Sequence, residues 1–516
     1  MSGRKLRWLG LGLVATGGTS ILTLTAMMNS AFAWGDDIGL VIGGSGQPIP
    51  GVEYVEAADN LYLDNTSTNP PLTPDGPIYP DLTFYQATGT TGLSQYGEGL
   101  YTPEGAYPHD VHSLLYDYPT DANGFPDQSS SAGQGMTILE STIAADTAAD
   151  DTSTVFGYSQ SATISSLVMQ QLDPFGKSEP NSGLNFLLIG DPNAPNGGFF
   201  ERFNGFETTS GQTVSDPLSL PSLGLVFDGA TPADDYTTSI FSLEYDGVTD
   251  FPRYPLDFLS DLNAILGLEE IHGTYLTNFT PQEIASDAFL LPGSEALGAD
   301  TLTNYYMIDQ TAPLVSLLPQ PLQDLLGPDL TYLINLGYGD GTLGYSVTPD
   351  SPANVPTPFG LFPDVSLSTV LSTLATDTQQ GITAFDKDLA DPAALLASLD
   401  PASSGQSLTD LFSALSADAA DPAATLTDLV NAISTAASAA YSALLPTADI
   451  INTLVTSMPA YDASLITDNL ASGDILDALG LPIAADTALA TLAAGFEVDV
   501  LETAATQISD AFSGLF

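Results

Sequence analysis

Short apolar runs alternate with longer stretches of helical spacing over most of the chain. Residues 38–42 (IGLVI) read as a buried strand that leads into the glycine turn Gly43-Gly44-Ser45-Gly46. Residues 112–118 (HSLLYDY), just before Pro119, are a second strand candidate. Residues 130–150 place Met136, Ile138, Leu139 and Ile143 at helical spacing, 152–158 read as a strand, 162–172 as a helix and 184–189 (LNFLLI) as another strand. Residues 239–245 add a strand, and 255–266 a helix with Leu256, Leu259, Leu262 and Leu266 along one stripe. Strands that alternate with helices predict a mostly parallel sheet covered on both faces, an α/β fold.

The pattern changes at both ends. Arg4, Lys5 and Arg7 precede an apolar run over 8–28 and the small residues Ala31 and Ala33, the order of a signal peptide cleaved after Ala33. The alternative is an uncleaved N-terminal membrane anchor, because the run approaches the roughly 20 residues that cross a bilayer. Either way the bulk of the chain faces outward, secreted or in the cell envelope. Residues 34–348 are read as the α/β domain and the proline-rich 349–363 as a linker or domain edge. Residues 364–516, rich in Ala, Leu and Asp, read as helical; Asp391-Pro392, Asp400-Pro401 and Asp421-Pro422 suit helix starts, and the region offers packing rather than chemistry.

Composition narrows the chemistry. Seven Lys+Arg stand against 63 Asp+Glu in 516 residues, a formal charge of −56, and such a field repels nucleic acid and anionic lipid headgroups. An uncharged or cationic substrate fits it. The absence of Cys removes disulfides, thiolate nucleophiles and Cys-ligated metals, so a nucleophile must be an oxygen or a lysine. No metal or cofactor site is expected: His109 and His112 are spaced i, i+3 near Asp110, but a strand would point them to opposite faces.

Gly157-Tyr158-Ser159-Gln160-Ser161 lies between a predicted strand and a predicted helix. A nucleophile elbow strains the backbone at its Ser and needs small neighbours two residues away, which Gly157 and Ser161 supply. On such a fold the base and acid follow in the order Ser, Asp, His. Of the three His in the chain only His272 comes after Ser159. The loop after the strand ending at 245 offers two acids; Asp250, deeper in the loop, is preferred, with Asp246 as the alternative. The backbone N–H of Gln160 and the glycine turn through Ser45 are the expected oxyanion donors.

Taken in order, Val41-Ile-Gly-Gly-Ser-Gly-Gln-Pro48, Phe156-Gly-Tyr-Ser-Gln-Ser-Ala162, Ile189-Gly-Asp-Pro-Asn-Ala-Pro-Asn-Gly-Gly198, Tyr245-Asp-Gly-Val-Thr-Asp-Phe-Pro252 and His272-Gly-Thr-Tyr275 resemble the successive motifs of the PE-PPE domain of mycobacteria and related actinobacteria. The resemblance covers about residues 38–363. It implies a cutinase-like serine α/β-hydrolase with a triad at Ser159, Asp250 and His272 and oxyanion donors at Ser45 and Gln160. A signal peptide stands where a PE or PPE helical module often precedes this domain. The resemblance implies an esterase or lipase-like enzyme on acyl esters, or an acyltransferase onto trehalose-type envelope glycolipids that uses the same triad. A non-catalytic envelope-binding protein is the competing class. The apolar residues of 314–326 and 359–362 are read as core, with shelter for an acyl chain as the alternative.

Overall fold

The computed structural model describes residues 37–44, 50, 52–63, 83–86, 131–149, 151–173, 183–203, 219–220, 225–227, 229–389, 444–455 and 457–513. The leader expected at 1–33, Ser45, His109, His112, the strand expected at 112–118 and the Asp-Pro steps at 391, 400 and 421 lie outside these residues.

Strand β1 (Asp37–Val41) is followed by helix α1 (Val52–Ala58), which continues through a wider turn at Asp59–Leu63, and by β2 (Thr83–Gln86). Then come α2 (Ser131–Ala149), β3 (Thr152–Tyr158), α3 (Gln160–Leu172), β4 (Leu184–Ile189) and the short α4 (Phe199–Arg202). A small hairpin, β5 (Ser219–Leu220) with β6 (Leu225–Val226), precedes β7 (Thr237–Leu243), α5 (Phe258–Glu270), α6 (Pro281–Asp287), β8 (Ala288–Leu290) and β9 (Thr303–Ile308). Helices α7 (Pro313–Ser316), α8 (Gln320–Asn335), α9 (Leu367–Leu389), α10 (Leu444–Val455), α11 (Ser457–Ser472) and α12 (Ile475–Ser513) complete the described chain.

The main sheet has the order β2-β1-β3-β4-β7-β9-β8. All its pairs are parallel except β8 with β9 at the edge. Side chains alternate between two cores. Leu40, Val155, Phe186, Leu188, Ile240, Tyr305 and Met307 join one, under α2 and α3. Val41, Phe156, Leu187, Ile189, Phe241, Tyr306 and Ile308 join the other, with residues of α1, α6, α7 and α8. Strands buried on both faces must be apolar at nearly every position, which is why they stand out in the sequence as continuous runs. β1 has β2 on one side and β3 on the other, so the order reverses there and opens a crevice at the carboxyl ends of β1 and β3.

Helix α5 departs from its leucine stripe. Its buried positions include Ser260, Asp261, Asn263, Ala264 and Gly267. The helix is wedged between helix α12 and the turn after β7, and the turn approaches its backbone closely. A Cβ at Gly267 would fall 1.8 Å from the Tyr245 carbonyl oxygen, and one at Gly247 would fall 2.1 Å from that of Ala264. Small residues on this face are therefore steric necessities, and the leucines sit half-buried beside them.

Residues 349–363 are packed down rather than serving as a free linker. Ala353 N donates to Pro292 O, Thr357 N to Pro195 O and Gly360 N to Arg253 O. Fully buried Arg202 reaches the Thr357 carbonyl, the Ser346 hydroxyl and the Phe251 carbonyl. The C-terminal helices share a third core with the sheet unit, in which Phe199, Phe200, Phe203, Val248, Phe251 and Phe359 meet Met458, Tyr461, Ala488, Leu489 and Leu492. Val315, Phe359 and Leu361 are core residues, as expected, whereas Leu317, Leu322, Leu326 and Phe362 are exposed, contrary to that expectation.

Candidate active site

Strand β3 ends at Tyr158 and α3 begins at Gln160, so Ser159 alone makes the strand-to-helix turn. Its φ of 56° and ψ of −120° are unfavourable for a residue with a Cβ, at a cost on the order of 1–3 kcal/mol. Neighbouring bonds hold it there. Ser159 N donates to Ile189 O at 3.2 Å, and Ala162 N donates to Ser159 O at 2.9 Å. Ser161 Oγ accepts from Tyr158 N at 2.8 Å. A Cβ at Gly157 would lie 2.8 Å from the Ser161 carbonyl oxygen, so the turn closes only with glycine there.

His272 follows α5 directly, in a single 3-10 turn (His272–Thr274). Its Nε2 lies 2.9 Å from Ser159 Oγ. Its Nδ1 lies 2.9 Å from Asp246 Oδ2 and 3.1 Å from Oδ1. A carboxylate can only accept, so the imidazole proton sits on Nδ1 and leaves the Nε2 lone pair facing the serine hydroxyl. Asp246 is fully buried, and it also accepts from Val248 N at 2.9 Å and from the Tyr275 hydroxyl at 2.8 Å.

The carboxylate that meets His272 is that of Asp246 and not that of the preferred Asp250. The turn after β7 begins with Tyr245 in a left-handed conformation, φ 65°, which swings the next residue toward the imidazole. Asp250 lies one helical turn further on, with its N–H on the Asp246 carbonyl at 2.8 Å. Its Oδ2 points back to accept from Tyr245 N at 2.9 Å. Burial pushes the Asp250 carboxyl well above its usual range, against hydrogen bonding from Tyr245 and the partly offsetting charge of Arg202. Asp250 thus pins the strained residue that aims Asp246. Depth in the loop is a poor guide here, because the turn doubles back on itself.

Gly190, after β4, lies beneath the imidazole with φ 54°; a Cβ there would come within 2.9 Å of His272 Cε1 and 3.1 Å of Tyr275 Cε2. The hydroxyl of Tyr158 donates to the His272 carbonyl. Burial raises the phenols of Tyr158 and Tyr275 well above their ordinary value, so both remain donors at any working pH. Sequence reasoning did not assign Gly190, Tyr158 or Tyr275 a role, although Ile189-Gly190-Asp191 and His272-Gly-Thr-Tyr275 are among the motifs it singled out.

Gln160 is half-buried at the first position of α3, where the helix dipole favours negative charge. Gly44, next to Ser45, packs on the elbow: a Cβ there would lie 3.1 Å from the Tyr158 carbonyl oxygen and 3.4 Å from Ser159 Cβ. Gly44 therefore sits beside the serine.

A family model described as the PE-PPE domain matches residues 95–339. PPE28, an uncharacterised PPE family protein of Mycobacterium tuberculosis, is 39% identical over 497 residues, covering 93% of this chain and 67% of that protein. The chain belongs to the PE-PPE domain family. Esterase PE16 of the same organism is 36% identical over 332 residues, 63% of this PE-PPE chain and 51% of the esterase. The chain thus spans two thirds of one relative and about half of the other. Among solved structures, a cutinase-like protein from Cryptococcus sp. aligns with 42% of this PE-PPE chain and 79% of its own, at 17% identity and a TM-score of 0.23.

Proposed function

We propose that this chain is a serine hydrolase acting on carboxylic esters, with Ser159 as nucleophile, His272 as general base and Asp246 as the acid that orients it. The observation that carries the reading is the continuous path from Ser159 Oγ to His272 Nε2 at 2.9 Å and from Nδ1 to Asp246 at 2.9 Å. Kinship with a protein named an esterase supports it.

In this reading Ser159 Oγ attacks the ester carbonyl while His272 Nε2 takes its proton. The new imidazolium faces a carboxylate that is buried and already held by other donors, so charge forms without solvent reorganisation. The tetrahedral oxyanion is met by the Gln160 N–H at the head of α3 and by the loop through Ser45. Collapse expels the alcohol with the proton from His272, and water resolves the acyl-enzyme by the same steps.

The test is hydrolysis of p-nitrophenyl esters of graded chain length by the full chain and by Ser159→Ala. Loss of roughly a thousandfold or more in kcat is expected for the variant. Equal turnover by the two proteins would end the serine assignment.

A further inference from the structure

Tyr275 lies three residues after the base, is fully buried, and has a hydroxyl with two fixed partners. Leu243 N approaches it at 2.9 Å, and Asp246 Oδ2 lies 2.8 Å away. A backbone N–H can only donate, so the phenol accepts from Leu243 and must spend its own proton on Asp246. The direction of this bond is therefore set by the sheet, because Leu243 is the last residue of β7. The carbonyl end of Tyr275 is fixed as well, by the Tyr62 hydroxyl at 3.0 Å. Asp246 Oδ2 is shared between this phenol and His272 Nδ1, while Oδ1 takes the Val248 N–H at 2.9 Å.

We infer that Tyr275 is a positioning residue of the proposed triad: its hydroxyl fixes the Asp246 carboxylate and tempers the charge that Asp246 presents to His272. The inference rests on the serine hydrolase reading, but its physical content is a hydrogen bond that exists whether or not an ester is turned over. The Tyr275 ring packs among Tyr158, Gly190 and the core beneath β7 and β9, so removal of the hydroxyl alone keeps the packing. What changes is the carboxylate. With one donor fewer, Asp246 holds more negative charge toward His272, stabilises the imidazolium in the free enzyme and moves more freely. The acid limb of kcat/KM should then shift to higher pH. A stronger donor at the same place should shift it to lower pH.

The experiment compares the full chain with Tyr275→Phe and with 3-fluorotyrosine placed at position 275, whose hydroxyl is the better donor. For Tyr275→Phe, kcat on p-nitrophenyl esters should fall about tenfold to a hundredfold with KM changed by less than about threefold, since the loosened carboxylate no longer holds the imidazole in line for proton transfer, a loss that outweighs the added charge and is felt in the transition state rather than in substrate binding. The acid limb should rise in the Phe variant and fall in the fluorotyrosine protein. In parallel, the downfield proton resonance of His272 Nδ1–H, identified by its loss in Asp246→Asn, should move in opposite directions in the two proteins. An unchanged resonance and an unchanged acid limb in the fluorotyrosine protein would overturn the inference, even if Tyr275→Phe did not fold. If Ser159→Ala kept full activity while the resonance moved as described, the hydrolase reading would fail and the Tyr275–Asp246 coupling would stand.

Discussion

Among the described residues, Ser159 and Tyr245 are the two without a glycine's freedom that adopt a left-handed backbone, and each sits at the reactive end of its strand. Ser159 presents the proposed nucleophile; Tyr245 turns the chain so that Asp246 meets His272. Asp250 secures the second turn by accepting from Tyr245 N at 2.9 Å, a bond that asparagine can keep through its own carbonyl oxygen. Asp246→Asn instead removes the acceptor that fixes the imidazole tautomer and should cost roughly a thousandfold to ten-thousandfold in kcat. Asp250→Asn should cost less than about tenfold, because the acceptor survives. Steady-state kinetics on the two variants decides this; the reverse ranking would return the acid role to Asp250. The elbow and the histidine that meets it were legible in the sequence because residue type and chain order leave Ser159 and His272 little competition. The carboxylate that meets this histidine was not, since two aspartates four residues apart differ only in a backbone torsion that the sequence does not display.

At the scale of elements, the strands were legible wherever both faces are buried: β3 and β4 fall at the expected residues, and β7 two positions earlier than expected. Helix α5 was misread in its packing, since its leucines suggested an apolar stripe and the structure buries a polar, small-residue face instead. Asp261 on that face accepts from the Thr491 hydroxyl of α12 at 3.1 Å, and its other carboxylate oxygen has no partner. Burial pushes its carboxyl up to about 8 from an ordinary 3.8, with the charge of Asp257 adding to the rise. The folded protein therefore holds a proton here that the unfolded chain has released. The stability from that proton is fully present below pH 3.8 and is lost as pH rises through about 8. Asparagine needs no proton, so Asp261→Asn should gain on the parent chain by about 1–3 kcal/mol between pH 5 and pH 9. Denaturant unfolding at the two pH values measures this, and a pH-independent difference would contradict it.

At the scale of the whole molecule, the C-terminal helices belong to the same body as the sheet. Val248 and Phe251, in the turn that carries Asp246, share a core with Met458, Tyr461, Leu489 and Leu492. A chain ending at residue 363 would leave Phe199, Phe200, Phe203, Phe227 and Phe251 facing water, an aromatic patch of the kind that drives aggregation. Such a truncation should be insoluble, or soluble with little activity, when compared with the full chain by size-exclusion chromatography and ester turnover. A monomeric, fully active fragment would show the tail to be dispensable. This integration was hidden in the sequence because an Ala-rich helix looks the same whether it is a spacer or a close-packed partner. The alanines at 485 and 488 fit the second case, since small residues let α12 approach the aromatic cluster.

The shared core also bears on how this family can be divided. Sequence similarity marks out residues 95–339 as a unit, yet the helices that close over the acid turn arrive after position 443. The stretch that the family model matches is therefore shorter than the body that shares this core. Exchange of the tail between relatives would be an exchange of one wall of the turn that carries Asp246. Under the proposed function, specificity and pH behaviour would then diverge among members that share Ser159, Asp246 and His272, through residues outside all three.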